Sequence, residues 1–424
     1  MRVLVLGGGG REHAIINALA RSPARPELIA APGNPGMAAM ARCLPDLDPV
    51  DVPAVVEAAK ENEVDLVVVG PEAPLVAGVV DGLEAVGVKA FGPRADAARL
   101  EGSKAFAKQV MKAAGVPTAD YRVVADVGQA AAVLDEWDFP VVLKADGLAA
   151  GKGVLICPDR SAADEALAIL FSEKRFGETE VLIEEFLEGE ELSLLAICDG
   201  ERAIPLAPAR DFKRIGDGDT GPNTGGMGSF SPVPGIDPAE AGRLSVAVHR
   251  PVIEYMASQG EPFHGILYAG LMMTAGGPKV LEYNVRFGDP ETQAVLPRLT
   301  SDILELFLAA TEPGGLAGVE ISFADEWAVT VVLASAGYPE SSSSGDPITG
   351  LEEAAELAEV VHAGTSLDGD VVVTGGGRVL NLTGLGPDVA TARRRAYDAA
   401  EVVRFEGRQM RHDIAAGIDG ADGG

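Results

Sequence analysis

Over the first hundred residues, short apolar runs end in glycine or proline turns and lead into helical stretches, and that alternation leaves few folds open. Residues 3–6 run into Gly7–Gly10 and the helical 12–21. Residues 28–31 run into Pro32-Gly-Asn-Pro-Gly36, and residues 65–69 into Gly70-Pro-Glu-Ala-Pro74 and the helical 75–86, before residues 89–92 close the series. Strands alternating with helices predict a parallel sheet covered on both faces. Ligands on such sheets gather at the carboxyl ends of the strands, where these turns fall.

The pattern changes near Glu101-Gly-Ser-Lys104. A helix over 104–114 stops at Gly115 with Pro117 just beyond. Strands are predicted at 140–144, 181–185, 192–199, 266–274 and 278–284, with helices over 244–258 and 301–310. Residues 210–234 are polar and glycine-rich, which in a compact domain reads as a functional loop or lid. A strand-rich unit starts near Trp327; it carries a serine-rich surface loop at 341–347, a helix over 390–404 and a tail expected to fray from Ala415.

Composition narrows the partners. The chain has 424 residues, room for about three domains. Its 64 acidic against 34 basic residues give a net charge of −30, which repels nucleic acid and anionic membranes. An anionic substrate must nevertheless enter, and at about 1 M salt, where the Debye length is about 3 Å, that repulsion is largely screened. Adaptation to a salt-rich cytoplasm is therefore expected. Cys43, Cys157 and Cys198 are far apart and form no C-x-x-C pair, so they read as small buried residues of a reducing compartment. The opening apolar run is too short for a signal peptide, and no run approaches the ~18 residues of a membrane span. A soluble, cytoplasmic protein is expected.

Four motifs carry chemistry. In Val280-Leu-Glu-Tyr-Asn-Val-Arg-Phe-Gly-Asp-Pro-Glu-Thr292, Glu282, Asn284 and Arg286 occupy every second position and share one face of a strand. Carboxylate and amide oxygens suit Mg²⁺, and the arginine can clamp a phosphoryl or carboxylate oxygen beside it. The same pattern also suits an edge strand with a solvated polar face. Gly7-Gly-Gly-Gly-Arg-Glu-His13 places a strand end before a helix, as phosphate sites do. It fails the dinucleotide fingerprint because position 12 is Glu, and a tight packing turn with a structural His13 is the alternative. Lys144 at a strand end, followed by Asp146-Gly-Leu-Ala-Ala-Gly-Lys-Gly153, can hold a triphosphate by ammonium charges and backbone N–H groups. Gly147 and Gly151 are wrongly spaced for a Walker A loop. In Ile183-Glu-Glu-Phe-Leu-Glu-Gly-Glu-Glu191, backbone at Glu185–Leu187 can pair an adenine edge and Glu191 can accept ribose hydroxyls, or the stretch is a solvated acidic turn.

Taken in order along the chain, GGGGREHA, APGNPG, VGPEAPLVAGVVD, LEGSKAFAK, VLKADGLAAGKGV, IEEFLEGEE, DTGPNTGGMGSFSP, LEYNVRFGDPETQ, VHAGT and GGRVL closely resemble the phosphoribosylamine–glycine ligase family of the ATP-grasp superfamily. The resemblance spans nearly the whole chain, and GPNTGGMG and N-x-RFGDPE are its most specific motifs. It implies an α/β architecture: an N-terminal Rossmann-like parallel sheet (1–102), a central ATP-grasp fold (103–311) with a mobile lid subdomain about 117–191, and a C-terminal strand-rich α+β domain (312–424). It implies ATP-dependent joining of glycine to 5-phosphoribosylamine with Mg²⁺ or Mn²⁺, by a monomer or weak dimer. By similarity, Lys104 and Lys144 hold ATP phosphates under a loop containing Gly147, Gly151, Lys152 and Gly153. Glu184, Glu185, Phe186 and Leu187 line adenine, Glu191 the ribose, and Arg214 reaches the nucleotide. Glu282 and Asn284 match the metal ligands, and Arg286 an arginine at the acyl phosphate. Asp211 and Gly225, Gly226, Met227 and Gly228 fall on the glycine side. Gly8, Gly9, Gly10, Arg11, Asn34, Gly36, Pro71 and Glu72 fall at the ribose phosphate. One departure is Phe212, where many members carry histidine; a packing role there would let Phe212 keep the shape. The candidate lids are 147–153 and 216–228.

Overall fold

The computed structural model describes residues 1–148, 153–173, 175, 177 and 179–418. The N-terminal sheet is parallel throughout, in the order Arg42–Cys43, Glu27–Pro32, Arg2–Gly7, Leu66–Val69, Lys89–Phe91. Val3, Leu4, Val5 and Leu6 are all fully buried, as expected of a strand covered on both faces. Gly7 turns the chain at φ +121°, and a Cβ there would lie 2.5 Å from Glu12 Cγ. Glu12 reaches back to accept the Gly9 N–H at 2.8 Å, closing the first turn of the helix Gly10–Ala20. The helix expected over 75–86 is two, Glu72–Val76 and Val79–Glu84, because Gly78 between them takes φ +86°.

Helix Lys104–Ala114 follows its sequence signals: Ser103 Oγ accepts the Phe106 N–H at 3.1 Å, and Gly115 ends it at φ +71°. Beyond it lie two antiparallel four-stranded sheets. The lid sheet runs Tyr121–Val124, Val181–Glu185, Val141–Ala145, Val154–Cys157 and has its own apolar core, including Leu134, Leu143, Leu167 and Ile183. The central sheet runs Ala203–Pro205, Glu190–Asp199, His264–Thr274, Gly277–Asn284. The helix expected over 244–258 divides into Pro238–Val248 and Arg250–Ser258, the break falling just before Pro251.

A five-stranded antiparallel sheet, Arg210–Asp211, Gly228–Ser231, Trp327–Ala334, Arg378–Gly386, Glu359–His362, packs on helix Val389–Val402. Its first two strands come from the segment expected to be a loop or lid. Between them, Arg214–Gly216 pairs with Thr220–Asn223 as a hairpin, and Gly218, Asp219 and Gly221 take the left-handed conformations its turn requires. Arg411, only 1% exposed, ties this hairpin down by bonding Arg214 O at 3.2 Å, Asp219 Oδ1 at 2.7 Å and Asp413 Oδ2 at 2.6 Å. The segment 216–228 is thus an anchored wall. The fraying expected from Ala415 does not start there, since Ile414 and Ala415 are buried; 419–424 lie outside the described residues. Cys157 and Cys198 are buried and Cys43 half-buried, all three free, as expected.

Three histidines are buried. His13 Nδ1 accepts the His362 N–H at 2.8 Å where the first helix meets the C-terminal sheet, and His249 lies under the central sheet. Burial, and next the His362 charge, pushes His13 down from 6.5 to about 3; burial alone pushes His362 to about 4, and it dominates at His249, also about 4. Below the ordinary value of 6.5 the unfolded chain therefore binds protons that the folded chain refuses. Their contribution to stability is complete above that value and is lost as pH falls towards 4. The urea midpoint at constant salt is expected to drop between pH about 7 and about 5; a flat profile would contradict this reading.

Candidate active site

Between the lid and central sheets, and reaching the carboxyl ends of the N-terminal strands, lies a cleft of about 780 Å³. One end is built for an extended polyanion against an apolar floor. Lys104 and Lys108 sit four residues apart on one helical face, and Lys144 projects from the lid strand. Lys144 Nζ lies 3.0 Å from Glu184 Oε2 and 3.2 Å from Leu281 O. Lys108 Nζ reaches the same carboxylate oxygen at 2.9 Å and Thr118 Oγ1 at 2.8 Å. Burial lowers Lys104 and pushes Lys108 down to about 8, with Glu184 opposing the latter shift. Lys104 Nζ also donates to Gly147 O at 2.8 Å, at the mouth of the glycine loop. Val142, Ile156, Met272 and Leu281 line the same end, with Phe186 and Leu187 beside them.

The other end is built on the alternation seen in the sequence. Tyr283 and Val285 are buried, while Glu282, Asn284 and Arg286, which alternate with them beyond a register shift in the strand, line the cleft. Arg286 Nη2 bonds Glu101 Oε1 at 2.8 Å and Asn284 Oδ1 at 3.0 Å, and Nε bonds Glu72 Oε2 at 3.2 Å. Burial opposes the guanidinium charge, but Glu101 and Glu72 hold it protonated. Among the described residues Glu282 has no hydrogen-bond donor, and although burial disfavours its charge, Lys213, Lys144 and Lys104 together hold its carboxyl below the usual range. Burial pushes Asp211 up to about 7, with Lys213 opposing and Glu291 and Glu191 adding to the rise.

The structure gathers Lys104, Lys144, Gly147, Gly153, Glu184, Glu185, Phe186, Leu187, Glu191, Asp211, Gly225, Arg11, Glu72, Glu282, Asn284 and Arg286 around this one cleft. Gly151 and Lys152 lie outside the described residues. Others fall elsewhere. Arg214 does not line the cleft; its Nη1 donates to Gly221 O at 2.7 Å within the hairpin, and its neighbour Lys213 points in to contact Glu191. Asn34 has its amide committed to Gly8 O, His362 O and the Met37 N–H, so it braces the turn. A Cβ on Gly36 would meet the His13 ring at 2.4 Å, one on Gly8 would meet Gly33 O at 2.7 Å, and one on Gly10 the Asn381 amide at 2.5 Å. Gly226 packs on Pro290 and Gly228 on Thr330 O, Met227 is fully buried, Gly9 abuts Glu12, and Pro71 caps the helix carrying Glu72. These glycines permit close packing; none borders the cleft.

Sequence reasoning missed Lys108, Lys213, Glu101, Asp289, Glu291 and Arg378. Lys108 was readable four residues after Lys104, and Lys213 two after Asp211. Arg378 had no local signal: it comes from the C-terminal sheet to bond Gly225 O at 2.6 Å and Asp289 Oδ2 at 3.1 Å. Phe212 packs against the core beneath the Arg411 guanidinium, 5.0 Å from its ring centroid. Among the described residues no group of three or more His, Cys, Asp or Glu side chains forms a metal cage.

Two sheets closing on a lysine-lined cleft define the ATP-grasp class. Solved structures agree on the fold: the biotin carboxylase domain of Hydrogenobacter thermophilus 2-oxoglutarate carboxylase superposes with a TM-score of 0.72 at 19% identity, over 96% of this chain and 91% of that one. Phosphoribosylamine–glycine ligase from Thermotoga maritima superposes with a TM-score of 0.84 at 35% identity, over 98% of this chain and 100% of that one. The Streptomyces coelicolor protein of the same name is 49% identical over 426 residues, 99% of this chain and 100% of that one. Models of the phosphoribosylglycinamide synthetase N domain, ATP-grasp (A) domain and C domain match residues 1–101, 102–292 and 328–417. The chain belongs to the phosphoribosylamine–glycine ligase (phosphoribosylglycinamide synthetase) family.

Glu184 is only 2% exposed and serves two lysines that are themselves buried. Glu184→Ala is expected to cost about 3–5 kcal/mol in urea unfolding, because two ammonium groups lose their partner in a low-dielectric site. A loss under 1 kcal/mol would show that water reaches these lysines.

Proposed function

We infer that this chain ligates glycine to 5-phosphoribosylamine, with ATP becoming ADP and phosphate, in purine nucleotide biosynthesis. The observation that carries the reading is the meeting of Lys104, Lys144, Glu282 and Arg286 in one cleft in a chain of this family. A free carboxylate is a poor electrophile, since its leaving group would be oxide. Transfer of the γ-phosphoryl group to glycine gives glycyl phosphate, from which phosphate leaves when the ribosylamine nitrogen attacks and loses its proton. No side-chain nucleophile is required; positioning and charge stabilisation carry the catalysis.

Within this reading Lys104 and Lys144 hold the phosphates, Glu184 to Leu187 border the adenine and Glu191 the ribose. Lys213 takes the part given to Arg214 by similarity, on the strength of its contact with Glu191 and its place in the cleft. Arg286, oriented by Glu101 and Glu72, faces the reacting carboxyl and phosphoryl oxygens. Asp211 and Gly225 stand on the glycine side, and Arg11 and Glu72 towards the ribose phosphate. The donor set fits a hard divalent ion: Glu282 offers a carboxylate that no protein donor occupies among the described residues, and Asn284 an amide oxygen. Mg²⁺ or Mn²⁺ held by Glu282 and Asn284 would supply neutralisation of the charge on the transferring phosphoryl group. Glycyl phosphate hydrolyses readily, so the lid sheet and loop 147–153 serve to exclude water.

Glu282→Ala is expected to abolish glycine-dependent ADP formation while leaving the urea midpoint within error; unchanged turnover would remove the metal assignment. The net charge of −30 supports adaptation to a salt-rich cytoplasm. Dialysis into low salt is expected to unfold the protein, monitored by circular dichroism, and full activity without added salt would refute that part of the reading.

A further inference from the structure

Glu291 belongs to the RFGDPET motif, yet none of the roles above uses it. It lines the cleft, and its side chain is almost wholly buried, at 3% exposed. Its Oε1 is held by two neutral hydroxyls: Tyr268 Oη donates at 2.6 Å and Ser193 Oγ at 3.2 Å, the two hydroxyls themselves 2.9 Å apart. Its Oε2 has no donor among the described residues, and none of their ion pairs includes Glu291. Among the other acids of this end, Glu72 and Glu101 pair with Arg286 and Asp289 with Arg378, while Asp211 and Glu282 form no ion pair among the described residues but feel the charge of Lys213. A desolvated carboxylate without a cationic partner is costly unless a cation arrives with the ligand.

The backbone is shaped to keep it there. A Cβ on Gly288 would lie 2.4 Å from Glu291 Oε2 and 3.1 Å from Tyr268 Cε1, so both side chains rest on a bare Cα. Arg286 stands five residues back along the same segment, and the Glu291 charge adds to those of Glu101 and Glu72 in holding its guanidinium protonated. A carboxylate with one oxygen free of donors and no direct ion pair among the described residues thus shares one end of the cleft with a guanidinium able to meet a carboxyl group. Those are the complements of the two ends of a small amino-acid zwitterion.

We propose that Glu291, oriented by Tyr268 and Ser193, binds the ammonium group of the glycine substrate and sets the preference for an amine-bearing acid. This rests on the ligase reading and deepens it at the amino-acid subsite. Tyr268 and Ser193 are positioning residues: they fix Oε1, so that Oε2 is the oxygen presented to the ligand.

The test is steady-state ADP formation by the full chain with ATP, Mg²⁺ and phosphoribosylamine, using glycine and glycolate, which replaces the ammonium group with a hydroxyl. In Glu291→Gln the KM for glycine is expected to rise at least tenfold, with the KM values for ATP and phosphoribosylamine within twofold of wild type. The ratio of the glycine KM to the glycolate inhibition constant should move at least tenfold towards unity, a change that general loosening of the site would not produce. An unchanged glycine KM, an unchanged ratio, or a shift in Mg²⁺ requirement in its place overturns the proposal. Should that variant not fold, Tyr268→Phe applies: a glycine KM raised severalfold at unchanged ATP KM supports it, and an unchanged glycine KM overturns it. A wild-type chain without glycine-dependent ADP formation sinks the ligase reading itself, and this subsite with it; an active wild type with an indifferent Glu291→Gln sinks the subsite alone.

Discussion

A single carboxylate oxygen, Glu184 Oε2, receives both Lys108 and Lys144, and the geometry of the cleft descends from that junction. Lys108 comes from the helix after the N-terminal sheet and Lys144 from the lid sheet, while Lys144 also reaches Leu281 O on the central sheet. Three separately built elements thereby meet at one buried corner of the cleft. The remaining tethers of the lid sheet to the body are also polar: Lys279 meets Glu185, and Ser103 Oγ bonds Asp146 at 3.0 Å. The lid's apolar core is separate from the other clusters. That sheet is therefore built round its own core and joined to the rest of the cleft by polar contacts.

Electrostatics divide the molecule into two regimes. The surface carries the net −30, much of it in carboxylates facing water or in ion pairs such as Arg2 with Glu27 and Glu63, each worth little. Inside the cleft, cations are concentrated and each is set against an acid, so that charges act through a low-dielectric medium at close range. Arg286 shows the consequence: Glu72 and Glu101, the latter on the helix Ala95–Gly102, fix its plane before any ligand arrives. Orientation that is already fixed costs nothing at the moment of reaction.

What was legible in the sequence is what local physics determines. Period-two alternation placed Glu282, Asn284 and Arg286 on one face, and a Ser103 cap with Gly115 bounded the helix that carries Lys104. The glycines were harder. Gly36 and Gly228 sit in motifs, and a ligand turn is the natural reading; in the fold Gly36 admits the imidazoles of His13 and His362 and Gly228 the Thr330 carbonyl, and both His362 and Thr330 lie over a hundred positions away. Asn34 is likewise held from afar, since one of its acceptors, His362 O, lies 328 residues distant. Arg214 and Lys213 differ by one step along an extended chain, and period two sends neighbours to opposite sides. Reading 210–234 as a loop hid that alternation.

The C-terminal unit shows why the chain needs a third part at all. Its first two strands are borrowed from the segment bearing Asp211 and Gly228, so the sheet cannot form without fixing that wall of the cleft. Arg378 then bonds Gly225 O and Asp289, and the Gly225 N–H donates to Tyr338 Oη at 3.0 Å. Arg411 clamps the adjoining hairpin from beneath and stacks on Phe212, whose ring supplies an apolar face and no charge. A histidine at 212 would place a second titratable group beside that buried guanidinium; phenylalanine offers a π-face that attracts it at any pH. The wall bearing Asp211 and Gly225 is therefore held by the last unit of the chain, and residue 212 contributes to it through Arg411.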